Sequence, residues 1–245
     1  MPPARENFHA GEIKALRTAM TGTGRPMVLS LSPGPTPVSQ AAAVEKYSQL
    51  WRISNDIWDD WKLVKKQFEY CRVWAPYIGR NHWPDADMLP LGRIRIRGFE
   101  DGERHTRFTP DEQIAFMTLW TVFRSPLMMG GDLPSLDDAT RSLLTNQEVL
   151  AVDQTSSGNH ELFSRANHVA WVADASDHHD KYLALFNLAD DIPAEITVTW
   201  KELGLNGRYS VRDLWTRKEV GSFEGKFSPS VKAHGAGLYK LSAAK

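Results

Sequence analysis

Residues 51–61, WRISNDIWDDW, place one arginine, three aspartates and three tryptophans in eleven positions. An ionised carboxylate is costly to keep unpaired among apolar rings, so these acids need either partners or a task. Asp56 is the one with the better chemical prospects. On a loop it could give and take a proton, with Arg52 four residues earlier as its ion-pair partner, although spacing alone makes a helix N-cap an equal reading. Asp59 and Asp60 fall where the first turn of the next helix is expected, and there the helix dipole would stabilise them in a structural role. A second cluster, NHWPDADMLPLG, sets Asp85 and Asp87 two apart beside Trp83. Such a pair could bind a metal, bind sugar hydroxyls, or make an Asx turn before Met88; for D-x-D alone the turn is the simplest reading.

These residues need elements to position them. EIKALRTAM carries Ile13, Leu16 and Met20 at helical spacing, GTGRP breaks it, and MVLSLS follows as a short buried strand. SQAAAVEKYSQL is helical. LWRIS reads as a strand with Asn55 and Asp56 at its C-terminal mouth, and WDDWKLVKKQFEYCRVWAPYI as the helix after it. TPDEQIAFMTLWTVF reads as a helix opened by Thr109 with Glu112 behind it. Short buried strands alternating with helices indicate parallel β/α units, whose chemistry gathers just past the strand ends. LDDATRSLLTNQEVLAVDQ reads as one closing helix. From residue 149 the texture changes: HVAWVADA, KYLALFNLA, AEITVTW, YSVRDLWT and GAGLYKLS are short β-branched or aromatic runs between turn formers, which fits an antiparallel sandwich. The expected class is therefore α/β plus all-β, with a β/α region over 1–148 and a sandwich over 149–245.

Composition narrows the partners. With 29 Lys and Arg against 30 Asp and Glu, the formal net charge is −1, which offers no electrostatic footprint for nucleic acid or an anionic membrane. A neutral or small-molecule partner is expected. Cys71 is the only cysteine, which rules out an intrachain disulfide or a cysteine metal cluster and leaves the compartment open. The run MPPARENFHAGEIKALRTAM has no apolar core of signal-peptide length, and no run is long enough to span a bilayer. His178 and His179 invite a metal reading, but strand neighbours point apart and no thiol completes a site, so a solvated loop is expected.

SLSPGP, RISNDIWDDW, WPDADMLPLG, RFTPDEQIAFMTLWTVFRSPLMMGGDLP and LLTNQEVLAVDQ, in this order, resemble the C-terminal half of the α-galactosidase and α-N-acetylgalactosaminidase family of retaining glycoside hydrolases. The resemblance implies the last four units of a (β/α)8 barrel followed by a β-sandwich, no cofactor and no metal. It implies a galactose-containing oligosaccharide or glycoconjugate as substrate. It places Asp56 at the general acid/base and Arg52 at a sugar-binding arginine. Asp87 falls on an aspartate that holds a hydroxyl beside the anomeric carbon, with Asp85 and Trp83 in the same pocket-lining loop. Aromatic shielding of Asp56 would then help it hold a proton near neutral pH. Ser32 falls where galactosidases of the family have glutamate and N-acetylgalactosaminidases have serine, leaving room at the second carbon of the sugar. The family's nucleophile, on a strand ahead of EIKALRTAM, has no counterpart in the chain, so a fragment that needs an N-terminal half is expected. The full-length parent could be secreted or periplasmic. The alternatives are a non-catalytic carbohydrate-binding remnant and an inactive truncation product.

Overall fold

The computed structural model describes residues 8–32, 34–98 and 102–244; Pro33 of SLSPGP and the first seven residues of the N-terminal run lie outside them. Helix α1 (Ala10–Gly22), strand β1 (Ser30–Leu31), α2 (Ala41–Tyr47), β2 (Leu50–Arg52), α3 (Trp61–Trp74) and β3 (Trp83–Asp85) alternate along the chain. The three strands form one parallel sheet in the order β1-β2-β3, with Leu31 opposite Trp51 and Trp51 opposite Pro84. A hairpin of β4 (Arg93–Ile94) and β5 (Arg104–His105) follows β3, and then α4 (Pro110–Phe123). The fourth strand position is reduced to a single parallel bridge, Leu89 to Met129.

Local chemistry sets the helix starts. Helix α3 begins three residues later than the sequence suggests, because the Asp60 side chain caps it by accepting from Lys62 N–H at 2.9 Å. Its stripe of Trp61, Val64, Phe68, Cys71 and Trp74 recurs at three- and four-residue spacing and is buried. Helix α4 opens as expected with a reciprocal capping box. Glu112 N–H donates to Thr109 Oγ1, Thr109 N–H donates to Glu112 Oε2, and Pro110 occupies the first turn, where its missing N–H costs nothing. Every residue from Ala115 to Phe123 is buried, so α4 is apolar all round rather than on one stripe. The expected closing helix is two helices, α5 (Asp138–Leu144) and α6 (Gln147–Thr155). They are separated where the Asn146 side chain turns back to cap α6 and donates to Leu214 O at 2.9 Å.

The sandwich explains why α4 is buried on every side. Strands β6 (Ser157–Arg165), β7 (His168–Asp174), β8 (Lys181–Asn187), β11 (Arg208–Asp213), β12 (Lys218–Glu224) and β15 (Ala236–Ala243) make an antiparallel sheet in the order β12-β11-β15-β8-β7-β6. Two small ladders cover its far face: β9 (Ala194–Glu195) with β14 (Ser230–Val231), and β10 (Val198–Thr199) with β13 (Lys226–Phe227). The short helix α7 (Trp200–Leu203) packs there too. Side chains along β7 and β8 alternate between two cores. Val169, Trp171, Ala184 and Phe186 join the barrel-side core with Phe116, Trp120 and Phe123 of α4, whereas Ala170, Val172, Leu183 and Leu185 pack with Val198, Trp200 and Phe227. Helix α4 thus lies between two sheets. The sequence reading missed β6 and β12; β12 is exposed along most of its length and β6 along much of it, so neither shows a hydrophobic alternation.

The two halves differ at their margins. Among the described residues β1 pairs only with β2, Val28 just before it is 67 % exposed, and α1 buries no residue. The parallel sheet therefore ends in an open edge with apolar groups beside it, as expected of half a barrel.

Candidate active site

The C-terminal ends of the parallel strands gather most of the expected residues around Arg52. The last position of β2 puts this arginine beside Asp85 of β3 in register. Its guanidinium Nη1 contacts Asp87 Oδ1 at 2.9 Å, while Nη2 reaches Asp56 Oδ1 and the Ser54 carbonyl at 3.3 and 3.2 Å. A buried cation bonded to two carboxylates is compensated, and its planar fork fixes their relative positions. Asp87 is the most constrained member. It adopts φ 87°, a conformation that Asp tolerates better than most residues. Its Oδ2 accepts Ile57 N–H at 2.7 Å, its N–H donates to Asp85 Oδ1 at 2.8 Å, and its carbonyl accepts Trp120 Nε1–H at 2.8 Å. The D-x-D pair is therefore an Asx-type turn and at the same time part of the arginine cluster. Burial pushes the Asp85 carboxyl up, against the opposing pull of the Asp87 N–H and Arg52.

Asp56 departs from the expectation of aromatic shielding: its side chain is 80 % exposed. The three tryptophans around it in sequence are engaged elsewhere. Trp51 is in the core against Trp74 at 5.7 Å, Trp61 stacks on His234 of the sandwich at 4.4 Å, and Trp58 lies beneath the Arg95 guanidinium at 5.2 Å. The carboxylates of the opening stretch are also accounted for individually: Asp56 pairs with Arg52, Asp60 caps α3, and Asp59 is held by Arg104. Asp59 precedes the helix instead of lying in its first turn. Its structural role thus comes from a buried ion pair and not from the helix dipole. Burial pushes its carboxyl up, but the Arg104 guanidinium and the Arg107 N–H outweigh this and hold it below the usual carboxylate range.

Ser32 lies one residue beyond the last paired position of β1, exposed at the same mouth as Arg52. Trp83 does not join this group. It opens β3, pairs with Leu50 in register and so sits at the opposite end of the strand from Asp85, two rises of ~3.3 Å away. There it lines a cavity of about 930 Å³ with Arg72, Arg80, Arg124 and His160. A smaller cavity of about 160 Å³ at this end is bordered by Trp83, Arg124 and Asp153. The Asp153 Oδ1 is buried without a hydrogen-bond partner among the described residues, and burial pushes this carboxyl up to about 7, with Arg124 opposing. Asp153 sits inside α6, where nothing in the local sequence marks it as functional.

Among the described residues, no three His, Cys, Asp or Glu side chains gather as a metal site requires, and His178 and His179 lie on the exposed turn between β7 and β8. The site can instead orient hydroxyls with a buried arginine and two acids while an exposed acid, Asp56, exchanges protons. A parallel β/α sheet bearing such groups at its C-terminal mouth, backed by an antiparallel sandwich, has the arrangement of part of a β/α-barrel enzyme with an appended β-domain. Two family descriptions match the chain: "Alpha galactosidase A" over residues 4–155 and "Alpha galactosidase C-terminal beta sandwich domain" over 166–241. The chain belongs to the α-galactosidase family of glycoside hydrolases.

Relatives share the assignment. An α-galactosidase of Oryza sativa is 31 % identical over 195 residues, covering 78 % of this chain and 43 % of its own length. An α-N-acetylgalactosaminidase of Gallus gallus is 25 % identical over 219 residues, covering 84 % and 51 %. The crystal structure of a family 27 β-L-arabinopyranosidase from Geobacillus stearothermophilus is 42 % identical with a TM-score of 0.93, covering 96 % of this chain and 54 % of that one. A variant of the same enzyme has been crystallised with arabinose. The chain spans about half the length of the relatives it matches.

Proposed function

We propose that this chain supplies the acid/base side of a retaining glycosidase site for galactose-configured pyranosides, with Asp56 as the proton donor. Arg52, Asp85 and Asp87 hold the sugar hydroxyls. The pentose β-L-arabinopyranose shares the ring configuration of α-D-galactopyranose and lacks only the exocyclic carbon, so both sugars fit this description. The observation that carries the proposal is the Arg52 guanidinium bridging Asp56 and Asp87 at the mouth of the parallel sheet. Retention needs a second carboxylate roughly 5 Å from the acid, which the first half of a barrel would contribute as nucleophile. Exposure of Asp56 suits a residue whose pocket is walled by that half. Ser32, at the same mouth, would border the second carbon of the sugar and leave it uncrowded. No cofactor enters this chemistry.

The test supplies the first barrel half of a relative to the purified chain and follows p-nitrophenol release from the α-D-galactoside and the β-L-arabinopyranoside. In the completed barrel, Asp56→Ala should slow hydrolysis of alkyl glycosides by ~10²–10⁴-fold and spare activated aryl glycosides, since only poor leaving groups require a delivered proton. Equal losses on both substrates would remove Asp56 from the acid role. Ser32→Glu should lower activity on N-acetylgalactosaminides relative to galactosides; an unchanged ratio would place Ser32 outside the pocket.

A further inference from the structure

We propose that the β4–β5 hairpin is a strap that fixes the loop carrying Asp56, with Asp59 and Arg104 as its positioning pair; this rests on the reading of Asp56 as the proton donor. The loop between β2 and α3 is held midway by Ile57 N–H on Asp87 Oδ2, directly after Asp56, and at its end by the Asp60 cap of α3. Among the described residues the Asp56 carboxylate has only the 3.3 Å contact to Arg52, and its side chain is 80 % exposed. A proton donor so exposed depends on its loop being held at further points, because small misplacements of a reacting group are costly in rate.

The hairpin provides that hold at two successive loop residues. Asp59, whose side chain is 2 % exposed, receives both terminal nitrogens of Arg104, Nη2 at 2.7 Å from Oδ1, and the Arg107 N–H at 2.6 Å. Trp58 lies under the guanidinium of Arg95, which follows β4 directly. One residue of the loop is thus tied to each side of the hairpin. The hairpin is in turn fastened to the barrel. Thr106 N–H donates to Gly92 O and closes the base of the hairpin, and Asp132 N–H donates to Arg93 O and fastens it to the segment before α5, both at 2.8 Å. Its base lies against Gly131, where a Cβ would come within 2.1 Å of the Leu91 carbonyl, so only glycine fits.

Simple cohesion would not select this chemistry. A buried ion pair is often no more stabilising than apolar residues of similar volume, but a bidentate fork defines orientation as well as distance. Asp59 lies three residues beyond Asp56, within ~10 Å of chain, so its orientation is passed to the donor.

Hydrogen exchange on the chain 1–245 tests this without requiring turnover. In Arg104→Gln, peptides covering 55–61 should exchange about tenfold faster while those in α4 and in β7–β8 keep wild-type rates. Asp59→Asn should match it, and Arg104→Lys, which keeps the charge but loses the fork, should recover only part of the protection. Unchanged exchange in 55–61 overturns the proposal. So does a uniform rise through α4 and the sandwich, or full recovery by Arg104→Lys. If Asp56 fails the leaving-group test while the local rise is present, the acid assignment falls and the strap stands.

Discussion

The sandwich and the β/α half show opposite relations between closure and chemistry. In the sandwich, β7 and β8 are flanked on both sides within one sheet, and their two faces feed two cores. In the β/α half, β1 is two residues long, has one neighbour among the described residues, and borders exposed Val28. Yet the candidate site belongs entirely to the less complete region. Antiparallel strands close through short local turns, so the chain finishes the sandwich alone. A parallel barrel closes only when its last strand meets its first. The region proposed to carry the chemistry is the one whose sheet ends in an open edge among the described residues.

The largest expected effect separates the regions by activity. The chain alone should release no p-nitrophenol above a buffer blank, and adding a first barrel half should raise turnover by on the order of 10⁴-fold, because it brings both nucleophile and pocket wall. Robust turnover by the chain alone would break the comparison, with Asp85 the first substitute carboxylate to examine.

Next is packing between the regions. Trp171→Ala empties the sandwich face that meets Phe123 at 6.2 Å and should cost about 3–5 kcal/mol in urea unfolding, whereas Val28→Ser at the open margin should cost under about 0.5 kcal/mol. Similar losses at both sites would mean the margin is covered in solution.

A pH effect of intermediate size tests the barrel end opposite the site. The Asp153 carboxyl is raised in the folded chain to about 7 from an ordinary carboxylate value, so folding favours its protonated form. That contribution is fully present below about pH 4 and is lost as pH rises through 7. Asp153→Asn should therefore stabilise the chain at pH 8 by up to about 4 kcal/mol and leave it unchanged near pH 4, measured by thermal melting across pH. Equal effects at both pH values would show that folding does not shift the Asp153 carboxyl.

The smallest effect should be alike in both regions. Each holds one Thr-x-x-Glu capping box, Thr109 with Glu112 and Thr199 with Glu202. In the second, hydrogen bonds from the Thr199 hydroxyl and N–H hold the Glu202 carboxyl at about 2. Thr109→Ala and Thr199→Ala should each cost about 1 kcal/mol. A markedly larger loss at Thr109 would indicate that its cap also supports the contact between Glu112 and His234, which pair at 2.8 Å across the two regions.

What was legible in the sequence was mostly local. The Thr109 box and the alternation in β7 and β8 depend on residues within a turn or two, and the motif RISND placed Arg52 and Asp56 together at a strand end. The distant partners were not legible. Nothing near Asp59 announces Arg104, 45 positions away, so its role was ascribed to a helix dipole. Trp83 was placed beside Asp87 because sequence proximity hides the direction of a strand, along which three residues carry a side chain from one end of the sheet to the other. The break at Asn146 is not legible locally because its side chain answers to Leu214 as well as to its own helix.

Helix α4 has a consequence for how the protein is made. During synthesis it leaves the ribosome with its sheet-facing side matched to strands already present, but the side that will meet Trp171 and Phe186 has to wait for β7 and β8, which are translated tens of residues later. For that interval an apolar surface with no possible partner in the nascent chain is open to chaperones, and any stalling or release before β8 would free a product that cannot hide it.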